Sequence, residues 1–407
     1  MAILEGKIEQ IIDSPERQGV LEDIQPTISA LVLDQVGDSL FSIKFNAQSR
    51  GELPPFIGAL DVIMLEMNWF MVEQWKTNGF LRRLFFLPFL IGWKLLRLLK
   101  SVLQFRLSVL RMVLTLYWRT VYRRKNEHEF DKMPSSMMEA VVERRVSYAL
   151  SSRVSLSSAL SLVTTAYQQF KEANYHLTMF TLAGHQTTTS SLTWTLYYLC
   201  RHEKIKRKLQ AEIDDFTEQA TPLSDILTDK SVLKYLDAVI RESLRLAPAA
   251  GYLGRQATAD VKLPVRRTSG KDSTKEEEEE KEQFINIPKG TNMGILVQYM
   301  HYSERYYRKA GEFIPERWLP KTADDDKEEM DTTDTTSCYF PFSAGNRACF
   351  GEKYALLQMK VTLLSICSKF DFTFAHPETF CQPRHYLAQA PASFAIKFSR
   401  RRRRRDG

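Results

Sequence analysis

The sequence predicts an α+β fold that is mainly α. Three observations carry that reading. Apolar residues recur at helical spacing through most of the chain up to Pro248. Beyond Pro248, short apolar runs alternate with turn residues, as strands do. A further helical run follows Gly351. With 407 residues, 44% of them apolar, the chain is long enough for one large core or two domains.

Taken in order, "PTISALVLDQVGDSLFSIKF" (26–45) has helical apolar spacing. Residues 101–124 read as amphipathic helices with solvated basic faces. Segment 80–99 reads either that way or as a surface that enters lipid headgroups. It sets Phe80, Phe85, Phe86, Phe89 and Trp93 beside Arg82, Arg83 and Lys94. Its apolar run, Leu84–Trp93, contains Pro88 and is too short to span a bilayer. Residues 173–200 read as one long helix with Gly184 inside it, where glycine costs about 1 kcal/mol relative to alanine. Residues 203–216 read as an exposed charged helix. Residues 231–248 place Leu233, Leu236, Ile240 and Leu244 on one face, and Pro248 ends the helix. "GYLGRQATADVKL" (251–263) and "FINIPKGTNMGILVQYM" (284–300) read as short strands with a turn at Lys289–Gly290. Residues 266–283 and 321–337 read as disordered insertions, and 400–407 as a solvated basic tail.

Five cysteines (Cys200, Cys338, Cys349, Cys367 and Cys381) form an odd set without framework spacing. They argue against a disulfide-stapled secreted fold and for a reducing compartment. "MAILEGKIEQ" is not a secretory signal. The net charge of +7 suits acidic lipid or an acidic protein. No aromatic residue is interleaved with the terminal arginines, so nucleic acid is not an expected partner.

"FSAGNRACFG" (342–351) sets one cysteine among two glycines and an arginine. For an arbitrary cysteine the default is a buried structural thiol. Here Gly345 and Gly351 permit tight backbone paths, and "GEKYALLQMKVTLLSICSKF" reads as a helix beginning just after Cys349. Free N–H groups and the positive end of the helix dipole suit a sulfur carrying negative charge. Such a sulfur serves as a metal ligand or as a nucleophile, although no histidine close in sequence offers a base.

The stretch resembles the heme-binding signature of the cytochrome P450 family. Phe342, Gly345, Arg347, Cys349 and Gly351 fill all five of its fixed positions. The resemblance implies a P450 fold over 1–407 as a single domain, and heme (iron protoporphyrin IX) ligated by Cys349. It implies that Phe342 covers the heme near the sulfur and that Arg347 contacts a propionate. Further similarities follow in the family's order. "ESLR" gives Glu242 and Arg245, one helical turn apart, and "FIPERW" gives Arg317, which would complete a buried Glu–Arg–Arg triad. Arg255 and His301 fall where the family places a propionate-binding residue and a histidine beside the heme loop. "AGHQTT" (183–188) resembles the oxygen-binding groove, with Ala183, Gly184, Gln186 and Thr187 as its catalytic positions. In that reading Thr187 helps deliver protons to bound dioxygen. The preceding residue is usually acidic; Gln186 can hold water but cannot relay a proton as a carboxylate does.

The implied reaction is insertion of one oxygen atom from O2 into an apolar small molecule. Electrons would come from NADPH through NADPH–cytochrome P450 reductase or another donor, with Lys353 and Lys360 offering positive charge for docking. Phe180, Ala183, Tyr252, Leu253 and Ala392 are the substrate-facing candidates. The resemblance implies the endoplasmic reticulum membrane surface, with a plastid as the second option and no anchor in this chain. It extends to carotenoid and fatty-acid hydroxylase branches. Little precedes the helix at 26–45, which resembles the family's fifth, so the expectation is a fragment or a natural short form. Two rivals remain: a reductase-independent isomerase or dehydratase, and a heme-free, non-enzymatic chain.

Overall fold

The computed structural model describes residues 1–59 except 42, 52, 55 and 56, residues 100–114 except 105, 109, 112 and 113, and residues 159–401 except 220, 221, 223–231, 266–282, 321–337, 377–380, 382, 386 and 387. Segment 80–99 and both insertions, apart from Gln283, lie outside these residues.

The chain opens with α1 (Ala2–Asp13), a short strand β1 (Val20–Leu21), α2 (Ile24–Phe41) and α3 (Ala47–Arg50). Leu4, Ile8 and Ile11 recur at helical spacing and bury one face of α1. Between α1 and β1 the chain must turn sharply, and Gly19 makes this possible. Its φ is 82°, and a Cβ there would stand 2.3 Å from the Phe398 carbonyl oxygen.

The central helix α4 (Ala159–Arg201) has 43 residues, a length of about 65 Å. It begins 14 residues earlier than the reading of 173–200, because serine, threonine and valine around 161–165 hide the helical signal. Its second half is buried almost all round, with Leu192, Trp194, Leu196, Tyr197 and Leu199 in the core. The charged helix α5 (Glu203–Glu218) follows, then α6 (Lys234–Leu246). Leu233, expected within α6, instead stands at its N-cap with φ 56°. No side chain of α6 caps its start. The Glu212 carboxylate of α5 accepts from the amides of Tyr235 (2.7 Å) and Leu236 (2.9 Å).

Strands β2 (Leu253–Gln256), β3 (Val261–Val265), β4 (Gln283–Ile287) and β5 (Asn292–Ile295) form two antiparallel pairs, β2–β5 and β3–β4. Residues 297–300 were read as strand; they form a short helix, α7 (Val297–His301). Tertiary demand overrides the β preference of Val297 and Tyr299, because His301 is drawn beneath α6.

Helix α8 (Glu352–Lys369) runs directly into β6 (Phe370–Phe374). A hairpin of β7 (Pro383–His385) and β8 (Gln389–Pro391) precedes β9 (Ile396–Arg400). β9 lies between β1 and β6, with Phe372 opposite Phe398. Two residues expected in the basic tail are therefore held by the fold, and 402–407 lie outside the described residues. Arg400 closes β9 and pairs with Asp13 at 2.7 Å, and Arg401 makes a two-pronged ion pair with Asp214. One core cluster joins α1, α2, α4, α6, α8, β6 and β9.

Candidate active site around Cys349

The loop before α8 presents Cys349, the one cysteine of the five that is exposed. Burial pushes the thiols of Cys200 and Cys367 up to about 12, which keeps them protonated. The loop is built from its own backbone. The Ser343 amide donates to Phe340 (3.0 Å), the Ala348 amide to Gly345 (3.0 Å) and the Cys349 amide to Phe342 (2.8 Å). Two residues take left-handed backbone: Gly345 at φ 65° and Ser343 at φ 64°. Gly351 does not; its φ is −85°, so the expected tight path is not its role. A Cβ at Gly351 would come 3.8 Å from the Cys349 sulfur, so glycine keeps the space beside the sulfur open. The sulfur lies two residues before the N-cap of α8, and among the described residues none donates a hydrogen bond to it.

Two residues brace the loop from outside. Arg255 on β2 donates from Nη2 to Ser343 Oγ at 2.9 Å. His301 accepts from the Phe340 amide at 3.3 Å and meets the Arg245 carbonyl with Nδ1 at 3.0 Å. Both His301 nitrogens are thus engaged by backbone, and the side chain braces the loop. Burial holds its pKa down, to about 4.

Beneath the loop, Glu242, Arg245 and Arg317 come together. Arg245 is fully buried, and all five of its N–H groups are used. Two go to Glu242 (3.0 and 2.8 Å), and three go to the carbonyls of His301 (2.6 Å), Ala310 (2.7 Å) and Glu312 (2.9 Å). Glu242 also accepts from Arg317 Nε (3.1 Å), Trp318 Nε1 (2.9 Å) and the Ile314 amide (2.9 Å). Arg317 and Trp318 are presented by the 3-10 turn Pro315–Trp318. The Tyr307 ring lies near both guanidiniums, its centroid 5.0 Å from Arg245 and 6.0 Å from Arg317. Trp318, Tyr307 and the three carbonyls were not singled out in the sequence, and backbone acceptors leave no side-chain signature there.

Across from the loop runs α4. Phe350, next to Cys349, meets Phe180 of α4 with ring centroids 5.3 Å apart. One turn further, Ala183 is exposed, and the Thr187 hydroxyl donates to the Ala183 carbonyl at 2.5 Å. Gly184 faces α2, where a Cβ would stand 3.5 Å from Val36. Gln186 is half-buried. His185, inside the same motif, was passed over; it is buried against α2 with Nε2 2.7 Å from Ser29 Oγ, and burial lowers its pKa to about 4.

Of the substrate candidates, Phe180 and Ala183 share this face of α4. Tyr252 is 59% exposed and lies over Gly294, where a Cβ would meet the ring at 2.4 Å. Leu253 is half-buried on β2, opposite Ile295. Ala392, just after β8, packs on the core, and its carbonyl accepts from Cys381 at 2.8 Å. β8 is tied to α4, since Ser190 Oγ and Trp194 Nε1 both donate to the Gln389 carbonyl. Lys353 is exposed, but Lys360 pairs with Asp237 at 2.8 Å and offers no free charge for docking.

Among the described residues, no three His, Cys, Asp or Glu side chains converge. A single exposed sulfur suits a metal whose remaining positions are filled by a macrocycle. Phe342 and Phe350 offer apolar surface to such a ring, and Arg255 and Arg347 offer guanidinium donors to its carboxylates. The residues present fit an iron porphyrin.

The family model for cytochrome P450 matches residues 93–268 and 273–398. The chain belongs to this family, one of heme proteins. Cytochrome P450 4d2 of Drosophila melanogaster is 27% identical over 368 residues, 90% of this chain and 63% of the fly protein. Cytochrome P450 3A19 of Capra hircus aegagrus is 32% identical over 196 residues, 48% of this chain and 76% of that protein. Cytochrome P450 3A11 of Mus musculus is 30% identical over 243 residues, 60% of this chain and 42% of the mouse protein. The chain thus spans less than two thirds of the fly and mouse relatives it matches. A crystal structure of the cytochrome P450DA heme domain superposes with a TM-score of 0.67 at 21% identity, over 98% of this chain and 71% of that one. The fold is that of the P450 family. These three relatives are animal proteins and give no support to a plastid location. None is named for carotenoid or fatty-acid hydroxylation, so the finer similarity gains nothing from them. Among the described residues, no helix is long and apolar enough to cross a membrane.

Proposed function

We propose that the chain is a heme-thiolate monooxygenase that inserts one oxygen atom from O2 into an apolar organic substrate. Electrons come from NADPH through a reductase. The observation that carries this reading is the facing pair of surfaces: exposed Cys349 on a doubly braced loop, and the Ala183–Thr187 face of α4, joined by the Phe180–Phe350 contact. The sulfur of Cys349 would hold the heme, which when bound would supply activation of dioxygen.

The chain's own residues do the rest. Arg255 and Arg347 hold the propionates, and Phe342 screens the sulfur from water. The Glu242–Arg245–Arg317 cluster keeps the loop in place through His301 and its carbonyl. Exposed Ala183 leaves room for substrate near the reacting centre, and Phe180, Tyr252 and Leu253 give it apolar walls. Thr187 holds a hydroxyl where protons are consumed, and Gln186 holds water beside it. Lys353 contributes to docking of the electron donor. Segment 80–99 touches the membrane surface of the endoplasmic reticulum, on the strength of its mixed aromatic and basic composition. The chain forms one P450 domain over 1–407.

The test is incorporation of 18O from labelled O2 into an apolar substrate by the heme-loaded protein with NADPH and reductase. Label in the product together with NADPH consumption is the expected result. Product formed without NADPH consumption favours the isomerase or dehydratase reading, which Gln186 allows.

A further inference from the structure

Tyr339 leads into the sulfur loop from a point where three elements meet one ring. Its hydroxyl donates to the Arg241 carbonyl of α6 at 3.2 Å, one position before Glu242. Its ring centroid lies 4.6 Å from that of Trp318, whose Nε1 donates to Glu242 at 2.9 Å. The His301 ring at the end of α7 is nearly parallel to it, with 21° between the planes and 5.6 Å between the centroids. His301 in turn accepts from the amide of the next residue, Phe340. The two flanking rings hang from different members of the triad. Trp318 is bonded to Glu242, and His301 is bonded to Arg245 through both Nδ1 and its own carbonyl.

From Tyr339 the path to the sulfur is short and stiff. Pro341 fixes its own φ and restricts Phe340 to extended backbone, so little rotation is left between Tyr339 and Phe342. The Phe342 carbonyl then accepts from the Cys349 amide at 2.8 Å. A displacement of the Tyr339 ring is thus carried to the residue that presents the sulfur. Ring pairs at these separations attract one another beyond the area they bury. The hydroxyl matters less. Arg241 lies inside α6, where the Arg245 amide four residues on is the ordinary partner of its carbonyl, so loss of the phenol oxygen leaves no acceptor bare.

We propose that Tyr339 is a positioning residue: its ring, packed against Trp318 and His301, fixes the loop so that the Cys349 sulfur is set for ligation of heme iron. The stack carries this role, not the hydroxyl. Groups that orient a metal ligand without touching the metal change retention by ten- to a hundredfold. The proposal rests on the heme-thiolate reading of Cys349.

Tyr339→Phe and Tyr339→Leu are compared with the unaltered heme-loaded chain. The readouts are the rate of heme transfer to apomyoglobin and the share of the reduced carbon monoxide complex that shows a thiolate-type Soret band. Tyr339→Leu is expected to lose heme about tenfold faster or more, and to lose most of that band. Tyr339→Phe, which keeps the stack, is expected to stay within about twofold of the unaltered chain. Equal loss in the two variants overturns the role of the ring. Unaltered heme transfer and Soret band in Tyr339→Leu overturn the proposal, even where its urea midpoint falls, since the ring is then structural only. Trp318→Leu attacks the stack from its other end and decides the matter where Tyr339→Leu does not fold; heme retention equal to that of the unaltered chain overturns the proposal there too. A chain that takes up no heme overturns the heme-thiolate reading itself. Deuterium uptake by residues 338–349 of the heme-free chain then decides on the brace: faster uptake in Tyr339→Leu than in Tyr339→Phe is expected, and equal uptake overturns it.

Discussion

Nε2 of His301 stands 3.3 Å from the amide nitrogen of Phe340, nine positions before Cys349. An amide only donates, so Nε2 accepts, and the ring proton sits on Nδ1, which donates to the Arg245 carbonyl at 3.0 Å. The ring is neutral in this arrangement. A proton added at Nε2 would face the Phe340 N–H and break the brace.

Stability therefore falls on acidification. His301 and His185 both have folded-state pKa values of about 4, below the ordinary 6.5, because burial disfavours the charged ring. A depressed histidine leaves the unfolded chain binding more protons between those values. Its contribution is full above pH 6.5 and is lost as the pH falls toward 4. On the order of 3 kcal/mol is at stake for each ring. Glu212, raised by burial, acts in the opposite direction over the lower part of this range. Urea midpoints between pH 7 and pH 4.5 should decline, and less steeply in His301→Gln. A flat profile contradicts the assignment of neutral, buried rings.

Arg245→Lys is expected to destabilise by about 3–5 kcal/mol, since three ammonium donors replace five and leave buried acceptors bare. Arg317→Lys should lose less. Arg317 gives one bond to Glu242 and one to the Arg308 carbonyl, and its Nη2 has no partner among the described residues. Equal losses in denaturant titrations would refute this ranking.

Cys349→Ser should abolish the thiolate-type Soret band of the reduced carbon monoxide complex in the heme-loaded protein. Cys200, Cys338, Cys367 and Cys381 are not exposed and offer no substitute. Survival of that band in the variant would remove Cys349 from its place.

Gln186→Glu restores a titratable group next to Thr187. Product formed per NADPH should rise by about twofold or more, in keeping with what one positioned acid contributes. The measurement is product and peroxide counted in the same assay.

Ser343→Val should lower the denaturation midpoint and loosen the loop, because a β-branched residue at φ 64° is strained and the Arg255 bond is lost. Ser343→Gly keeps the backbone and loses only the bond. The glycine variant is expected to retain more heme; the reverse order would show that the hydroxyl outweighs the backbone.

The triad was legible because its members lie in two compact runs, "ESLR" and "FIPERW". What surrounds it was not. The carbonyls of Ala310 and Glu312 reach Arg245 only after the chain between α7 and the Pro315–Trp318 turn has folded back. Ser343 carries no sign of its left-handed backbone, since glycine is the usual marker of that conformation. His301 was placed near the loop, but its partners there were not legible, because they are backbone groups. The helical run of residues 159–172 stayed hidden behind residues that favour other conformations.

The cap that Glu212 gives to α6 implies an order of assembly. The helix bearing Glu242 and Arg245 cannot satisfy its first amides alone, so its opening turn waits for α5. A charged helix with no part in the chemistry thereby becomes a precondition for the cluster beneath the sulfur. In Glu212→Gln, refolding should slow more than unfolding quickens, which is the kinetic mark of a contact already made when the chain commits to its native form.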